Sequence, residues 1–306
     1  MFACSKDPTV VVLIATPTPI LTEVPEMTFS PNSYPKTSPT AIPTAIPTAI
    51  PTAIPTAIPT NSSNLKHVVK WSSTKNNDWV PDSIPPECND FSEIFNEFPV
   101  DINIVTEYGR PGKPGSNNTM YLAHGYIRSH TTPYDQITVR FPGNGFSLYA
   151  ANMRTENYSI LEKNADIRQI DDSIKQVKLE FQHPCGIKVM FDHLVDLSPK
   201  WDSIVEKVPI LMNDSRVTFF PIGEHFVESG EILSYSIGHP DNIYLDFGVY
   251  DLREKNNIST KIDSKWPEYS ITGNYGLCWE SLFNTETKSI LKSLPGGIDD
   301  NSDYCN

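Results

Sequence analysis

Two stretches of the chain combine a strand-like alternation with side chains that could transfer protons or bind a metal. The first, residues 185–198, reads CGIKVMFDHLVDLS. Its apolar residues recur at every second position, which is the pattern of a strand with one buried face. Continuing the alternation predicts His193 on the same face as the apolar Val189 and Phe191. An imidazole there could ligate a metal or carry a proton.

The second stretch, residues 243–251, reads IYLDFGVYD. Its alternation predicts Tyr244, Asp246 and Gly248 on one face and apolar residues on the other. Tyr244 and Asp246 stand two positions apart, which separates them by about 7 Å along a strand. The bare Gly248 leaves room for a group to approach. We expect the two strands to converge on one pocket.

Four short motifs between residues 120 and 252 share their order and strand parity with those of a known family. They are LYAAN (148–152), FDHL (191–194), VESGEIL (227–233) and YLDFGV (244–249). They resemble motifs of the lysostaphin-like zinc peptidoglycan endopeptidases. The resemblance implies a mainly β fold of the duplicated hybrid motif type, an antiparallel β-sandwich or barrel.

The resemblance also implies a metal site with one position open to water. It assigns zinc ligation to His130, Asp135 and Asp246, although the spacing of the first two is one residue longer than in the family motif. It assigns proton handling to His193 and Tyr244. A phenol with a pKa near 10 does not accept a proton at neutral pH as an imidazole does, so we expect a degenerate active site.

The histidines carry a second interpretation besides metal binding. His130 is either a ligand or an ordinary loop residue, and the sequence favours neither. His124 is an alternative ligand, but we favour a surface turn for it. No Gly-x-Ser-x-Gly elbow, P-loop or Gly-x-Gly-x-x-Gly motif occurs, so serine hydrolase and nucleotide chemistry have no support.

Residues 1–60 differ in composition from the rest of the chain. They are rich in proline and threonine and contain a PTAI repeat that begins at Pro39. Such a tract favours a disordered, extended spacer of about 3.1 Å per residue. The tripeptide ending at Cys4 resembles the tail of a bacterial lipobox, which implies a lipid on Cys4 and attachment to a membrane. A chance Ala-Cys pair is the alternative.

Behind this stalk we expect one folded domain. Residues 61–100 form a transition segment with a short helix at 90–98, and residues 101–306 form the β domain with a C-terminal extension. Many short strands separated by turn residues are typical of a sandwich or barrel. The candidate strands are 102–107, 136–141, 146–151, 158–163, 167–170, 176–182, 187–194, 216–220, 231–238 and 243–251.

The chain has five cysteines and no CxxC pair. A structural zinc knuckle is therefore disfavoured. We prefer a disulfide between Cys278 and Cys305, because it would pin the C-terminal tail, with Cys88 and Cys185 as the second pair. Four free thiols are the alternative.

The formal net charge is −13. This argues against nucleic acid or an anionic membrane surface as a direct partner, because both need a basic face. We expect a lipid-anchored protein on the extracellular face of the cell envelope that binds cell-wall peptide, peptidoglycan or polysaccharide as a scaffolding module. An active zinc metalloendopeptidase and an unrelated carbohydrate-binding sandwich are the alternatives.

Overall fold

The structure is a computed structural model that describes residues 68–88, 90–115, 118–155, 174–212, 216–296 and 301–305. All of them fall within one compact unit. The predicted stalk (1–60) and the predicted strands 158–163 and 167–170 lie outside the described residues. Among the described residues, no helix is both long enough and apolar enough to span a membrane.

Strands dominate the described residues, in agreement with the predicted mainly β class. In chain order they are β1 (Trp71–Ser73), β2 (Trp79–Pro81), β3 (Glu107–Gly109), β4 (Lys113–Pro114), β5 (Tyr121–Leu122), β6 (Gly125–Arg128), β7 (Val139–Arg140), β8 (Phe146–Thr155), β9 (Lys175–Gln182), β10 (Ile187–Leu197), β11 (Ile210–Met212), β12 (Thr218–Phe219), β13 (Phe226–Val227), β14 (Ile232–Ile237) and β15 (Tyr244–Asp251). The helices are short: α1 (Phe91–Ile94), α2 (Pro199–Val205), α3 (Ser259–Lys265), α4 (Ser270–Gly273) and α5 (Thr285–Ser293).

Eleven of the described strands join one sheet, with the order β11-β8-β9-β10-β15-β6-β3 along its main path. Strand β14 pairs with the end of β10 and with β7, while β12 and β13 pair with β8. The predicted antiparallel arrangement holds for these pairs except β11 and β8, which run parallel. A parallel pair needs a crossover connection, and β9, β10 and α2 lie between these two strands in the chain.

One face of the central strands forms the main hydrophobic core. Phe181 and Phe191 are fully buried there, and Trp201 of α2 packs against Phe181. The ring centroids of Phe181 and Trp201 lie 5.2 Å apart in an edge-to-face arrangement. Such aromatic contacts stabilise a core beyond the area that they bury.

The hairpin of β1 and β2 covers part of the opposite face. Its two tryptophans, Trp71 and Trp79, are buried against Tyr149 and Tyr250 in a second, smaller cluster. The side chain of Gln182 accepts a hydrogen bond from the Trp71 backbone N–H (3.2 Å) and donates one to its carbonyl (3.0 Å). The amide thus joins the hairpin to the central sheet as a neighbouring strand would.

Two disulfides connect distant parts of the domain. Cys88 is bonded to Cys185 and Cys278 to Cys305, which confirms the predicted pairing. Disulfides persist in oxidising compartments, so they indicate a non-reducing, extracellular environment.

Local hydrogen bonds explain why one predicted strand is absent. The sequence predicts a strand at 102–107, but Ile102–Ile104 form a 3-10 turn and β3 begins only at Glu107. The side chain of Asp101 accepts a hydrogen bond from the Asn103 backbone N–H at 3.0 Å. Such a short-range bond satisfies the backbone without a strand partner. The predicted helix at 90–98 is likewise shortened to α1.

We expect Phe181→Ala to lower the free energy of unfolding by about 3–5 kcal/mol, because it opens a cavity in the aromatic core. Phe219→Ala is the matched control, since that ring is 60% exposed, and it should cost about 0.5 kcal/mol. Urea unfolding followed by tryptophan fluorescence measures both. Equal losses for the two variants would contradict the placement of Phe181.

Candidate functional site

Charged and amide side chains line the side of the central strands that faces away from the main core. This side of β8, β9, β10 and β15 is called the polar face below. It comprises Asn152, Arg154, Gln176, Lys178, Glu180, Lys188, Asp192, His193, Tyr244 and Asp246. Five of these residues are buried and the other five are partly buried, so their polar groups require partners within the protein. The contacts among them around Asp192, His193 and Asp246 are called the network below.

A β-bulge turns His193 onto the polar face. On β10, Phe191 is paired with Leu179 of β9, and Leu194 is paired with Val177, so β10 has one residue more than β9. His193 is the extra residue, and its φ of +66° lies in the left-handed region. The prediction that His193 shares a face with Val189 and Phe191 is therefore wrong, because a bulge interrupts the period of two.

The position of the proton on the His193 ring follows from its neighbours. Nδ1 lies 2.5 Å from Oε1 of Gln176, and an amide oxygen only accepts, so Nδ1 carries a proton. Arg154 Nη2 also approaches Nδ1, but at the longer distance of 3.4 Å. The other nitrogen, Nε2, is 3.4 Å from Oδ2 of Asp246. The imidazole thus bridges an amide and a carboxylate.

The same carboxylate oxygen contacts a second histidine. Oδ2 of Asp246 lies 3.1 Å from Nε2 of His124, whose side chain is 28% exposed while that of Asp246 is 16% exposed. Burial alone would raise the pKa of Asp246, but the charges and hydrogen bonds of His124 and His193 outweigh it and hold that pKa well below its usual range. Burial would lower the pKa of His124, and Asp246 raises it instead.

His124 is a site residue that the sequence analysis assigned to a surface turn. It immediately precedes β6, and Gly125 of β6 is paired with Phe247 of β15. This pairing brings the imidazole next to Asp246. The contact would have been predictable if Gly125–Arg128 had been recognised as a strand beside β15. Four residues are too few for alternation to identify a strand.

Asp192 and Arg154 form an ion pair beside the bulge. Arg154 Nη1 donates to Asp192 Oδ1 at 2.8 Å, and the backbone N–H of His193 donates to the same oxygen at 2.7 Å. The Asp192 carboxylate therefore satisfies a backbone donor that the bulge leaves without a ladder partner. This supports the positive φ of His193.

Tyr244 packs its ring against the His193 imidazole. The two ring centroids are 4.1 Å apart, with 46° between the ring planes. The guanidinium carbon of Arg128 lies 5.9 Å from the centroid of the Tyr244 ring. The structure thus brings together three of the five predicted site residues: His193, Tyr244 and Asp246.

The other two predicted residues, His130 and Asp135, lie elsewhere. His130 is 59% exposed and its Nε2 lies 3.0 Å from Oε2 of Glu107. Asp135 is exposed in a 3-10 turn, Tyr134–Gln136. Among the described residues, the ligand atoms of His130, Asp135 and Asp246 do not come within 4.8 Å of one another. This set does not fit a zinc ion, because His130 is held by Glu107 instead.

In the described part of the chain, one group of three potential metal ligands does lie close together. It comprises Cys278, Glu280 and Cys305, each of which offers a ligand atom within 4.8 Å of the other two. The two cysteines are joined in a disulfide, however, and zinc binds thiolates. In its oxidised form this group is therefore a structural link.

No family model, curated protein or solved structure matches this chain.

We expect the pKa of His124 to fall when Asp246→Asn removes the charge that raises it, because burial, which lowers it, remains. Since its folded-state pKa lies above the usual 6.5, the contact stabilises the fold below pH 6.5, and this stabilisation is lost as the pH rises through the folded value. A proton NMR titration of the His124 ring measures the pKa. Asp135→Asn, at an exposed site, is the control and should change nothing. An unchanged His124 pKa in Asp246→Asn would refute the contact.

Proposed function

We propose that this domain is an extracellular binding module with a peptidase-like fold, and that its polar face binds peptide or polysaccharide of the cell wall without cleaving it. The motif resemblance supports the fold and the ligand class. The two disulfides support the compartment. The network around Asp246 supports the position of the site.

The observation that carries this proposal is the tilted contact of the Tyr244 ring with the His193 imidazole. In the family that the motifs resemble, a histidine stands at the position of Tyr244 and handles a proton. A phenol does not accept a proton at neutral pH. The positive charge of the nearby Arg128 also opposes the binding of a cation beside Tyr244. The site therefore retains recognition groups but lacks a component that hydrolysis needs.

The charges of the polar face suit a peptide-like ligand. Asp192 and Asp246 are acceptors for amide and amine N–H groups, while Arg154 and Lys178 donate to carboxylates and carbonyl oxygens. Both signs occur on this face, in the ion pairs of Arg154 with Asp192 and of Lys178 with Glu180. A ligand that carries both signs could match this arrangement, and such complementarity favours specificity more than raw affinity.

The N-terminal segment supports attachment to a surface. A lipid on Cys4 would anchor the chain, and the PTAI repeat would act as a semi-rigid spacer between membrane and domain. The polar face would then reach ligands in the wall at a distance from the bilayer.

The alternative function, zinc-dependent hydrolysis, has two suitable distances at this site and lacks the third. Oδ2 of Asp246 lies 3.1 and 3.4 Å from the Nε2 atoms of His124 and His193, close to the spacing of about 3.3 Å between ligand atoms on a tetrahedral zinc. The ligand atoms of these three residues do not all lie within 4.8 Å of one another, however, so the two imidazoles are too far apart to share one zinc ion in this arrangement. Hydrolysis would therefore require one of the rings to move.

We expect the purified protein to cosediment with insoluble peptidoglycan and to leave the turbidity of the suspension unchanged. Asp246→Asn and Arg154→Gln should each weaken binding by about tenfold or more, because each removes a charge that would hydrogen-bond to the ligand. Asp135→Asn is the matched control and should bind as the wild type does. Equal binding by all three variants would place the ligand site elsewhere.

Zinc content distinguishes the two functions in the same preparation. Stoichiometric zinc together with clearing of the suspension, both abolished by Asp246→Ala, would establish the hydrolase and overturn the binding module. Absence of zinc and of clearing, with binding retained, supports the module.

A further inference from the structure

A disulfide attaches the C-terminal tail to the domain next to the buried carboxylate of Glu280. Cys305 of the tail is bonded to Cys278, and Glu280 follows Cys278 in a 3-10 turn, Trp279–Leu282. One carboxylate oxygen and the two sulfurs all lie within 4.8 Å of one another. This cluster is separate from the Asp246 network and takes no part in the proposed function.

Glu280 is a buried carboxylate with only one of its two oxygens paired. Its side chain is 3% exposed, and Oε1 lies 3.3 Å from Arg110 Nη2 and 4.0 Å from Lys292 Nζ. The other oxygen, Oε2, is buried and has no hydrogen-bond partner among the described residues. A buried carboxylate oxygen without a partner is costly, so a ligand that engages it would be stabilised there.

We propose that reduction of the Cys278–Cys305 disulfide converts this cluster into a zinc site. A dithiol reductant transfers two electrons and two protons to the disulfide, giving two thiols, and is itself oxidised to a disulfide. Zinc then displaces both thiol protons to solvent and binds the two thiolates and the Glu280 carboxylate. Water takes the fourth position of the tetrahedron.

The charge balance favours this ion. Two thiolates and Zn²⁺ sum to zero, so the existing pair of Glu280 and Arg110 stays neutral overall after the ion enters. Thiolate ligands select zinc over magnesium and calcium, which prefer oxygen. Once the S–S bond is broken, rotation about the Cα–Cβ bonds of the two cysteines lets the sulfurs reach the wider spacing that two zinc-bound sulfurs require.

Non-covalent contacts keep the two sulfurs together after reduction. Lys261 Nζ lies 2.7 Å from both carboxylate oxygens of Asp303, and the Asp303 N–H donates to the Gly112 carbonyl at 2.6 Å. Tyr304 donates its hydroxyl proton to the Gly273 carbonyl at 2.5 Å. These bonds position the residues immediately before Cys305, so the tail is held in both redox states.

Cobalt(II) tests the site, because its thiolate complexes show a sulfur-to-metal charge-transfer band. The full chain is reduced with a phosphine, freed of reductant without oxygen and titrated with cobalt. We expect a band that saturates at one equivalent and that zinc removes. Oxidised protein should give no band. A reduced protein without the band, or a band in the oxidised protein, would overturn the proposal.

Two double variants show which pair of cysteines binds the cobalt ion. Cys278→Ser with Cys305→Ser should abolish it, whereas Cys88→Ser with Cys185→Ser should retain it. Glu280→Gln should weaken cobalt affinity by about tenfold or more, since loss even of an outer partner has that effect. A band that survives the first double variant, or disappears only in the second, would assign the metal to the other cysteine pair and contradict the proposal.

Discussion

One additional residue in β10 decides where the polar chemistry of this domain lies. Without the bulge, the imidazole of His193 would extend the apolar row of β10 into the core. With it, the imidazole contacts Gln176 and Asp246 on the polar face. The backbone cost of a positive φ is offset by two hydrogen bonds, from the His193 N–H to Asp192 and from the Gly238 N–H to the His193 carbonyl.

Charge pairing makes the rest of the polar face compatible with burial. Burial would raise the pKa of Glu180, but Lys188 and Lys178 lower it to about 2, so the carboxylate stays ionised. Lys188 lies beneath the rings of Trp79 and Tyr250, with its Nζ 5.3 and 4.7 Å from their centroids. Breaking one partner of such a network leaves an uncompensated buried charge. Each charged group of this network therefore constrains the position of its partner.

Alternation in the sequence was sufficient to predict the long strands β9, β10 and β15, because each carries apolar residues at every second position on its core side. It did not predict that residues 187–191 of β10 are buried on both faces. It was also sufficient to place Tyr244 and Asp246 on one face. It failed at His193, because the period of two cannot register an inserted residue. It missed His124, whose role depends on the pairing of β6 with β15.

The zinc ligands implied by the motif resemblance, His130, Asp135 and Asp246, show that one sequence does not reveal which distant residues come into contact. His130 is close in sequence to the expected motif position, but Glu107, 23 residues earlier, pairs with its ring. Such non-local contacts depend on strand order, which a single sequence does not reveal. The disulfides were predictable because only four cysteines lie in the folded domain and one pairing pins the tail.

Binding of a ligand at the polar face around Asp246 can be observed by an NMR titration of the isotope-labelled protein with soluble muropeptide fragments. We expect the ring signals of His124 and His193 to shift together and saturate, while the signal of the exposed His130 ring stays unchanged. Shifts confined to residues away from the polar face, with both rings unaffected, would contradict it.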